Sequence, residues 1–510
     1  MKFLKNNDIK YFVFTLIVTL WSTLSFILPD FTDSPINDFH SFLFVFLQFG
    51  LQSIATFLLL YAIGSNKYLF AVFLPLFAFL GAIIAYYRYA YKIVLTPMLI
   101  DATLKNDLRT SVDVISFALI IFVILSIAIS LLFVYYRMKK ISNIHAWYSF
   151  LIPIVLLFIL LNFNGRIRNS VVIRFPYTIY YNFRLYESYR IKIAEKRLNP
   201  DSDLTCERHD SLSVVLILGE SLRADHLSLN GYSRETTPNL GKRKNIVSFP
   251  NIYSEYTHTG RSVPHILTRA DSIYIERAFT ETSFVPLFKS CGFRTYWIAN
   301  QESADYYIAF MKECDSLIYV HPGKTVFTYD KWLDEDLLPH TQNVLDKKEE
   351  RKLFILHTIG SHWFYNSHFP DSLAFYQPIA SSRVIKQCTP DEIINSYDNT
   401  ILYTDHFLDR LIGMFEKENA VIIYLSDHGE SLGENGLWLH AIEDEVCKNP
   451  ACFIWYSNKY KEQNSEKIKA LEKNKNKYYR TDFLFHSILS AGNIHSTILV
   501  EDLDIFSCDN

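Results

Sequence analysis

Cysteine is missing from everything before Cys206, and Asp, Glu, Lys and Arg are missing from five long stretches of that same region. The stretches are Tyr11 to Leu28, Ser41 to Gly64, Tyr68 to Tyr87, Val114 to Tyr136 and Trp147 to Phe163. Each runs roughly 17–24 residues, enough at about 1.5 Å per residue to cross a hydrocarbon core about 30 Å thick. A cleaved leader does not account for five such runs. A basic excess is also lacking: the formal charge is -3 and the pI near 6.6. That removes the phosphate-neutralising surface a nucleic-acid binder needs, so no nucleic-acid partner is expected. The seven cysteines, Cys206 to Cys508, form no C-x-x-C pair and no regular zinc-ligand spacing. In an oxidising compartment some should pair, and Cys291 with Cys314 or Cys447 with Cys452 would close local loops.

What is present divides the chain. We expect a five-helix membrane domain over 1–165, an amphipathic bridge over 166–210 and a soluble catalytic domain over 211–510. The 33 Tyr and 40 Phe suit a large membrane-interface surface. Lys2, Lys5 and Lys10, then Lys67, then Arg137, Lys139 and Lys140 fall on one side of the spans, which the positive-inside tendency makes cytoplasmic. Asp30, Asp33 and Asp38 lie in the first outer loop. Arg88, Lys92, Lys105 and Arg109 lie on the outer side and are outnumbered. Five spans then deliver the second half to the periplasmic face of an inner membrane. The bridge carries Tyr177, Tyr180, Tyr181, Tyr186 and Tyr189 among arginines, a composition suited either to the headgroup layer or to an ordinary linker helix.

From Ser211 the pattern becomes short apolar runs: Ser213–Gly219, Thr295–Ala299, Leu353–His357 and Ala420–Ser426. Uninterrupted apolar strands alternating with helical stretches predict a three-layer α/β domain with its chemistry beyond the carboxyl ends of the strands. There the sequence places Glu220 and the run Asp427-His428-Gly429-Glu430. Mixed carboxylate and imidazole at two strand ends suits zinc. His357, His362 and His440 extend the set. A nucleophile is offered by Thr257-His-Thr259-Gly-Arg-Ser262, where spacing leaves Thr257, Thr259 and Ser262 equally open.

In order along the chain come Leu218-Gly-Glu-Ser-Leu-Arg-Ala-Asp225, Gly231-Tyr-Ser-Arg-Glu-Thr-Thr-Pro-Asn-Leu240, Thr259-Gly-Arg-Ser-Val-Pro264, His357-Thr-Ile-Gly-Ser-His362, Tyr397-Asp-Asn-Thr-Ile-Leu-Tyr-Thr-Asp405 and Ser426-Asp-His-Gly-Glu-Ser-Leu-Gly-Glu-Asn-Gly436 with Leu439-His440. This series resembles the phosphoethanolamine transferases that modify lipid A, a branch of the alkaline phosphatase and sulfatase superfamily that includes the transferable colistin-resistance enzymes. The resemblance implies Glu220, Thr259, Asp427 and His428 as ligands of one Zn2+, with Thr259 also the residue that becomes phosphorylated. His362 and His440 fall where the family holds the phosphoryl group or a second zinc, and Asn300 near its phosphate-binding position. The implied reaction moves phosphoethanolamine from phosphatidylethanolamine to lipid A or a core glycan by a ping-pong double displacement, carried out by a monomer among membrane lipids.

Two departures bear on the acceptor. Met98 to Arg109 offers Asp101, Lys105 and Arg109 where the family has Asn, Thr and Glu, and Arg261 stands in the nucleophile loop where the family is small or aromatic. Three rival readings are a glycerol-phosphate transferase of the lipoteichoic-acid-synthase type, a sulfatase or phosphatase, and a catalytically silent membrane binding protein. The hydrolase reading is weakened by Ile266, which stands where a sulfatase requires arginine.

Overall fold

The computed structural model describes the chain apart from residues 1–5, 33, 35, 37, 92–93, 98, 101–115, 143, 145–146, 201–202, 208–210, 326–329 and 508–510. Lys2, Lys5, Asp33, Lys92, Asp101, Lys105, Arg109 and Cys508, used above, lie outside the described residues. The chain folds as two compact units, Met1–Glu187 with Pro322–Asp330, and Ser188–His321 with Lys331–Asn510.

The five uncharged runs fall on helices of the first unit: α1 (Asn6–Ser22), α2 (Phe39–Ser65), α3 (Lys67–Tyr91), α4 (Phe117–Lys140) and α5 (Tyr148–Phe163). Among the described residues, four apolar segments are each long enough to cross a membrane. The fifth arises if α5 and α6 (Gly165–Val172), bent by 116° at Asn164, count as one broken span. Helices suit that solvent because each satisfies its own backbone polar groups. Arg137 is buried in α4, donating from Nε and Nη2 to Gly64 O at 3.0 and 2.9 Å and from Nη1 to Ile141 O at 3.0 Å. A fixed cation thus meets the carbonyl end of α2, where the helix dipole favours it. Arg88, one of the cations expected on the outer side, pairs with Asp30 at 3.4 Å. The bridge is helical as α7 (Tyr177–Ala194).

The second unit is built on a seven-stranded mixed sheet. Its strands are β1 (Leu212–Gly219), β2 (Ile246–Ser248), β3 (Arg294–Ala299), β4 (Ser316–Tyr319), β5 (Arg351–His357), β6 (Ala420–Ser426) and β7 (Cys452–Tyr456), in the order β2-β7-β6-β1-β5-β3-β4. β1 lies centrally, parallel to β5 and β6 on either side. β3 and β4 extend the parallel part, whereas β7 and β2 each pair antiparallel to their neighbours. Every residue of β1 is buried because both sheet faces are covered. Val214 and Leu216 face a core shared with α8 (Thr259–Leu267), and Val215 and Ile217 face a core shared with α9 (Pro390–Phe415). Three layers result, as the alternation of apolar runs and helices predicts.

The cysteine pairing differs from both local loops. Cys206 bonds Cys291 across 85 residues, with Cα atoms 5.6 Å apart, and Cys314, Cys447 and Cys452 are free. Approach of Cα atoms in space decides pairing, and sequence proximity is no guide to it.

Candidate active site

The parallel strands all point their carboxyl ends the same way, so the residues that follow them converge. Glu220 follows β1, and Asp427 and His428 follow β6, one strand away. All three are buried. Ser221, at φ 58°, turns the chain sharply after Glu220 and ties the two strand ends, its N–H donating to Asp427 Oδ1 at 3.2 Å and its hydroxyl to Glu220 Oε1 at 3.0 Å. Gly360 follows β5 at φ 52°, and a Cβ there would stand 2.7 Å from Glu220 O. The turn leading to His362 therefore requires glycine.

Thr259 opens α8 and points its hydroxyl into this cluster. Its Oγ1 donates to Glu220 Oε2 at 3.1 Å and lies 3.4 Å from His428 Nε2. Of the other hydroxyls left open by spacing, Ser262 Oγ turns back to Tyr256 O at 3.3 Å, and Thr257 accepts the Ala441 N–H through its backbone carbonyl at 2.7 Å. His428 donates from Nδ1 to Gly429 O at 2.8 Å, which leaves Nε2 with its lone pair, 3.4 Å from Glu220 Oε1 and 3.3 Å from Asp427 Oδ2. His440 joins from a loop, its ring centre 4.7 Å from that of His428. Its Nδ1 donates to Glu430 Oε2 at 2.9 Å, and Tyr365 O–H donates to Glu430 Oε1 at 2.7 Å. His362 lies 5.7 Å from His440 between ring centres and donates from Nδ1 to Trp363 O at 2.6 Å.

These residues fit a divalent cation. Glu220, His428 and His440 each bring a ligand atom to within 4.8 Å of the others. Asp427 Oδ2 is buried without a hydrogen-bond partner, a costly state for a carboxylate unless a cation completes it. Burial, and then the Asp427 charge, push Glu220 above the usual carboxylate range, and burial pushes Asp427 up as well. Burial takes His428 down to about 3. His440 is the exception: burial alone would lower it, yet Glu430 and the two carboxylates raise it to about 9.

Two expected members stand elsewhere. His357 ends β5 buried against Trp297 and Tyr307, outside the cluster. Asn300 has its amide committed: Oδ1 accepts from Trp332 Nε1 at 2.9 Å, and Nδ2 donates to Asp334 Oδ1 at 2.9 Å and Leu333 O at 3.1 Å. Asp334 in turn accepts the N–H groups of Ile359 and Gly360, so Asn300 supports the turn that carries His362. Its neighbour Gln301, absent from the sequence reading, donates from Nε2 to Glu220 Oε2 at 3.1 Å. Alternation past the end of β3 was the available signal, since adjacent residues there face opposite ways.

The remaining motifs brace the site. Arg223 holds Asp225 with two bonds of 2.8 and 2.6 Å and Glu434 at 2.6 Å, locking the segment after β1 to the segment after β6. Asp398 on α9 gathers His226, Tyr232 and Arg234 at 2.8, 3.1 and 2.8 Å.

Comparison with known proteins gives the family. Residues 213–494 match the sulfatase family model, and residues 53–166 match the model of phosphoethanolamine transferase EptA/EptB. The chain is 30% identical over 301 residues to phosphoethanolamine transferase EptA of Escherichia coli K12, covering 56% of this chain and 53% of that protein, about half its length. It is 28% identical over 439 residues to the EptA of Helicobacter pylori, covering 81% and 80%. Among solved structures, the integral membrane lipooligosaccharide phosphoethanolamine transferase A of Neisseria meningitidis superposes with TM-score 0.55 at 24% identity, covering 97% of this chain and 98% of that one. The periplasmic domain of EptC from Escherichia coli, in complex with Zn, gives 0.55 at 23% identity over 62% and 91%. The chain belongs to the sulfatase family, in the branch whose membrane half is of the phosphoethanolamine transferase EptA/EptB type.

Proposed function

We propose that this chain transfers phosphoethanolamine from phosphatidylethanolamine to lipid A or another envelope glycan, through a phosphothreonine at Thr259. The observation that carries the reading is the Thr259 hydroxyl bonded to Glu220 and 3.4 Å from His428, in a buried carboxylate and imidazole cluster, on a chain that also carries the apolar helices α1–α5. The names of its relatives supply the group transferred.

Glu220, Asp427 and His428 would hold a zinc ion, with Thr259 beside them and His440 within reach. Bound there, zinc supplies positive charge that lowers the pKa of a hydroxyl and offsets negative charge on phosphoryl oxygens. The rest belongs to the protein. Glu220 Oε2 accepts the Thr259 hydroxyl hydrogen and so orients the oxygen lone pair. Thr259 Oγ1 attacks phosphorus, the bond from phosphorus to the diacylglycerol oxygen breaks, and diacylglycerol leaves with a proton. Thr259 opens α8, so a phosphoryl group carried on it would sit at a helix N-terminus, the end that favours anions. An acceptor oxygen then attacks the phosphothreonine, displacing Thr259 Oγ1 and giving up its proton. His440, held by Glu430, and His362, held by the Trp363 carbonyl, are the groups placed to carry that proton.

In this reading residues 1–165 anchor the chain in the inner membrane with the N-terminus cytoplasmic, 166–210 bridge, and 211–510 work on the periplasmic face as a monomer. Mass spectrometry of lipid A and core oligosaccharide from cells expressing the wild type or Thr259→Ala tests it. One added phosphoethanolamine, absent with the variant, is expected, and the modified fragment names the acceptor. No addition to any envelope glycan from folded, zinc-loaded protein would overturn the assignment.

A further inference from the structure

The segment that follows the nucleophile helix carries the densest run of exposed apolar side chains in the second unit. Ile273 is 77% exposed, Phe279 51%, Tyr274 46% and Ile275 45%. Large apolar side chains gathered on a water-facing surface mark a binding surface.

The segment is also built to hold them outward. Arg269 and Glu281 close its base with two bonds of 2.7 and 2.9 Å. Asp271 Oδ1 accepts the N–H groups of Ile273 and Tyr274, both at 2.7 Å, and the Arg277 guanidinium lies 4.0 Å from the Tyr274 ring centre. Ala278 alone of the tip turns inward. A fixed loop with its apolar residues facing out gains nothing by that arrangement in water, so it needs an apolar partner.

The partner follows from the chain that adjoins it. Leu198, itself 65% exposed, donates its N–H to Thr280 O and accepts from Thr282 N–H, both at 2.9 Å, so it lies against the same loop. Leu198 comes a few residues after α7, whose Tyr180, Phe183 and Ile191 are exposed beside Arg184, and α7 follows the last apolar helix. Leu198 thus ties the loop, by two backbone bonds, to the segment that follows α7 in sequence. Aromatic and aliphatic tips with basic neighbours match the boundary between headgroups and acyl chains.

We propose that Leu198 and the 271–279 loop dip into the outer face of the bilayer that anchors the chain, so that the second unit takes its donor at a lipid surface. This rests on the membrane assignment above and extends it. α8 packs against the short helix Arg277–Thr280, so the loop and the nucleophile share one support.

The test uses the full-length chain in nanodiscs of phosphatidylethanolamine and phosphatidylglycerol, with Cys388→Ser and Cys508→Ser to clear reactive thiols. A fluorophore on Ile273→Cys should be quenched by lipids bearing a nitroxide on the acyl chain, and one on Glu472→Cys, on a polar helix face, should not. Equal quenching at the two sites would overturn the proposal. Self-quenching of the Ile273→Cys label that disappears on dilution, without lipid quenching, would overturn it in favour of a second copy of the chain. In a second arm, Ile273→Ser with Ile275→Ser should lower turnover of bilayer-held donor about tenfold and leave a water-soluble short-chain donor unaffected. If wild type transfers phosphoethanolamine from neither donor, the proposed reaction fails while the quenching result still decides the bilayer contact.

Discussion

His440 donates its Nδ1 hydrogen to Glu430 Oε2 at 2.9 Å, and Glu430 is wholly buried. A buried carboxylate behind an imidazole fixes which ring nitrogen faces the Glu220 and His428 cluster. Glu430→Gln presents an amide that can no longer fix that choice, and turnover should fall about 10–100-fold with little change in fold. Tyr365→Phe, which removes the O–H at 2.7 Å from the other Glu430 oxygen, should cost less. Assays of phosphoethanolamine transfer in mixed micelles check both, and unchanged turnover in Glu430→Gln would remove the pair from the mechanism.

Removing metal should abolish transfer and lower the melting temperature of the second unit, because Glu220 and the orphaned Asp427 Oδ2 are left buried without a cation. Loss of a ligand held far above its Kd corresponds to about 3 kcal/mol. Chelation followed by Zn2+ addition, read by thermal melting and by metal content per chain, checks this. A melting curve indifferent to both would count against a resident metal.

Asn300 and Gln301 should behave differently although they are adjacent. Gln301→Ala removes a donor to Glu220 and should lower turnover several-fold at nearly unchanged stability. Asn300→Ala leaves Trp332 Nε1 without its partner in the interior and takes one of three donors from the buried Asp334, and should cost about 2 kcal/mol or more. Parallel melting curves and transfer assays distinguish the two, and the reverse pattern would return Asn300 to the substrate.

The difference between those two residues shows what the sequence could and could not say. Strand ends were legible because β1, β5 and β6 are uninterrupted apolar runs, and Glu220, Asp427 and His428 follow them directly. The resemblance singled out Thr259, whose hydroxyl the fold brings to Glu220, whereas that of Ser262 turns to the Tyr256 carbonyl. His440 was visible as a histidine, but its approach to His428 depends on Leu439 and Ala441, both at left-handed φ of 70° and 61°, which no periodicity encodes. The bond from Cys206 to Cys291 was equally hidden, since it joins segments 85 residues apart.

That disulfide should be worth about 4.6 kcal/mol, from the loop-closure entropy of a ring its size. Cys291→Ser, or reduction of the wild type, should lower the melting temperature. Peptide mapping without reductant should recover Cys206 joined to Cys291, and recovery of Cys291 joined to Cys314 instead would contradict the fold.

Burial, offset in part by hydrogen bonds from Ser283 and the charge of Arg197, raises Glu313 from 4.5 to about 7. The folded chain therefore keeps a proton that the unfolded chain releases, so this group's contribution is complete below about pH 4.5 and is lost as pH rises through about 7. Urea midpoints measured across that window should decline with pH in the wild type and decline less in Glu313→Gln. Parallel slopes would show that Glu313 titrates normally.

Leu439 and Ala441 hold His440 from both sides in a backbone conformation that side chains disfavour by roughly 1–3 kcal/mol each. Glycine at either position would relax that tension and make the protein sturdier, yet it would free the histidine to wander. Selection for durability and selection for catalysis therefore pull this loop in opposite directions, and laboratory evolution toward heat tolerance should arrive at positions 439 and 441 early and lose activity there.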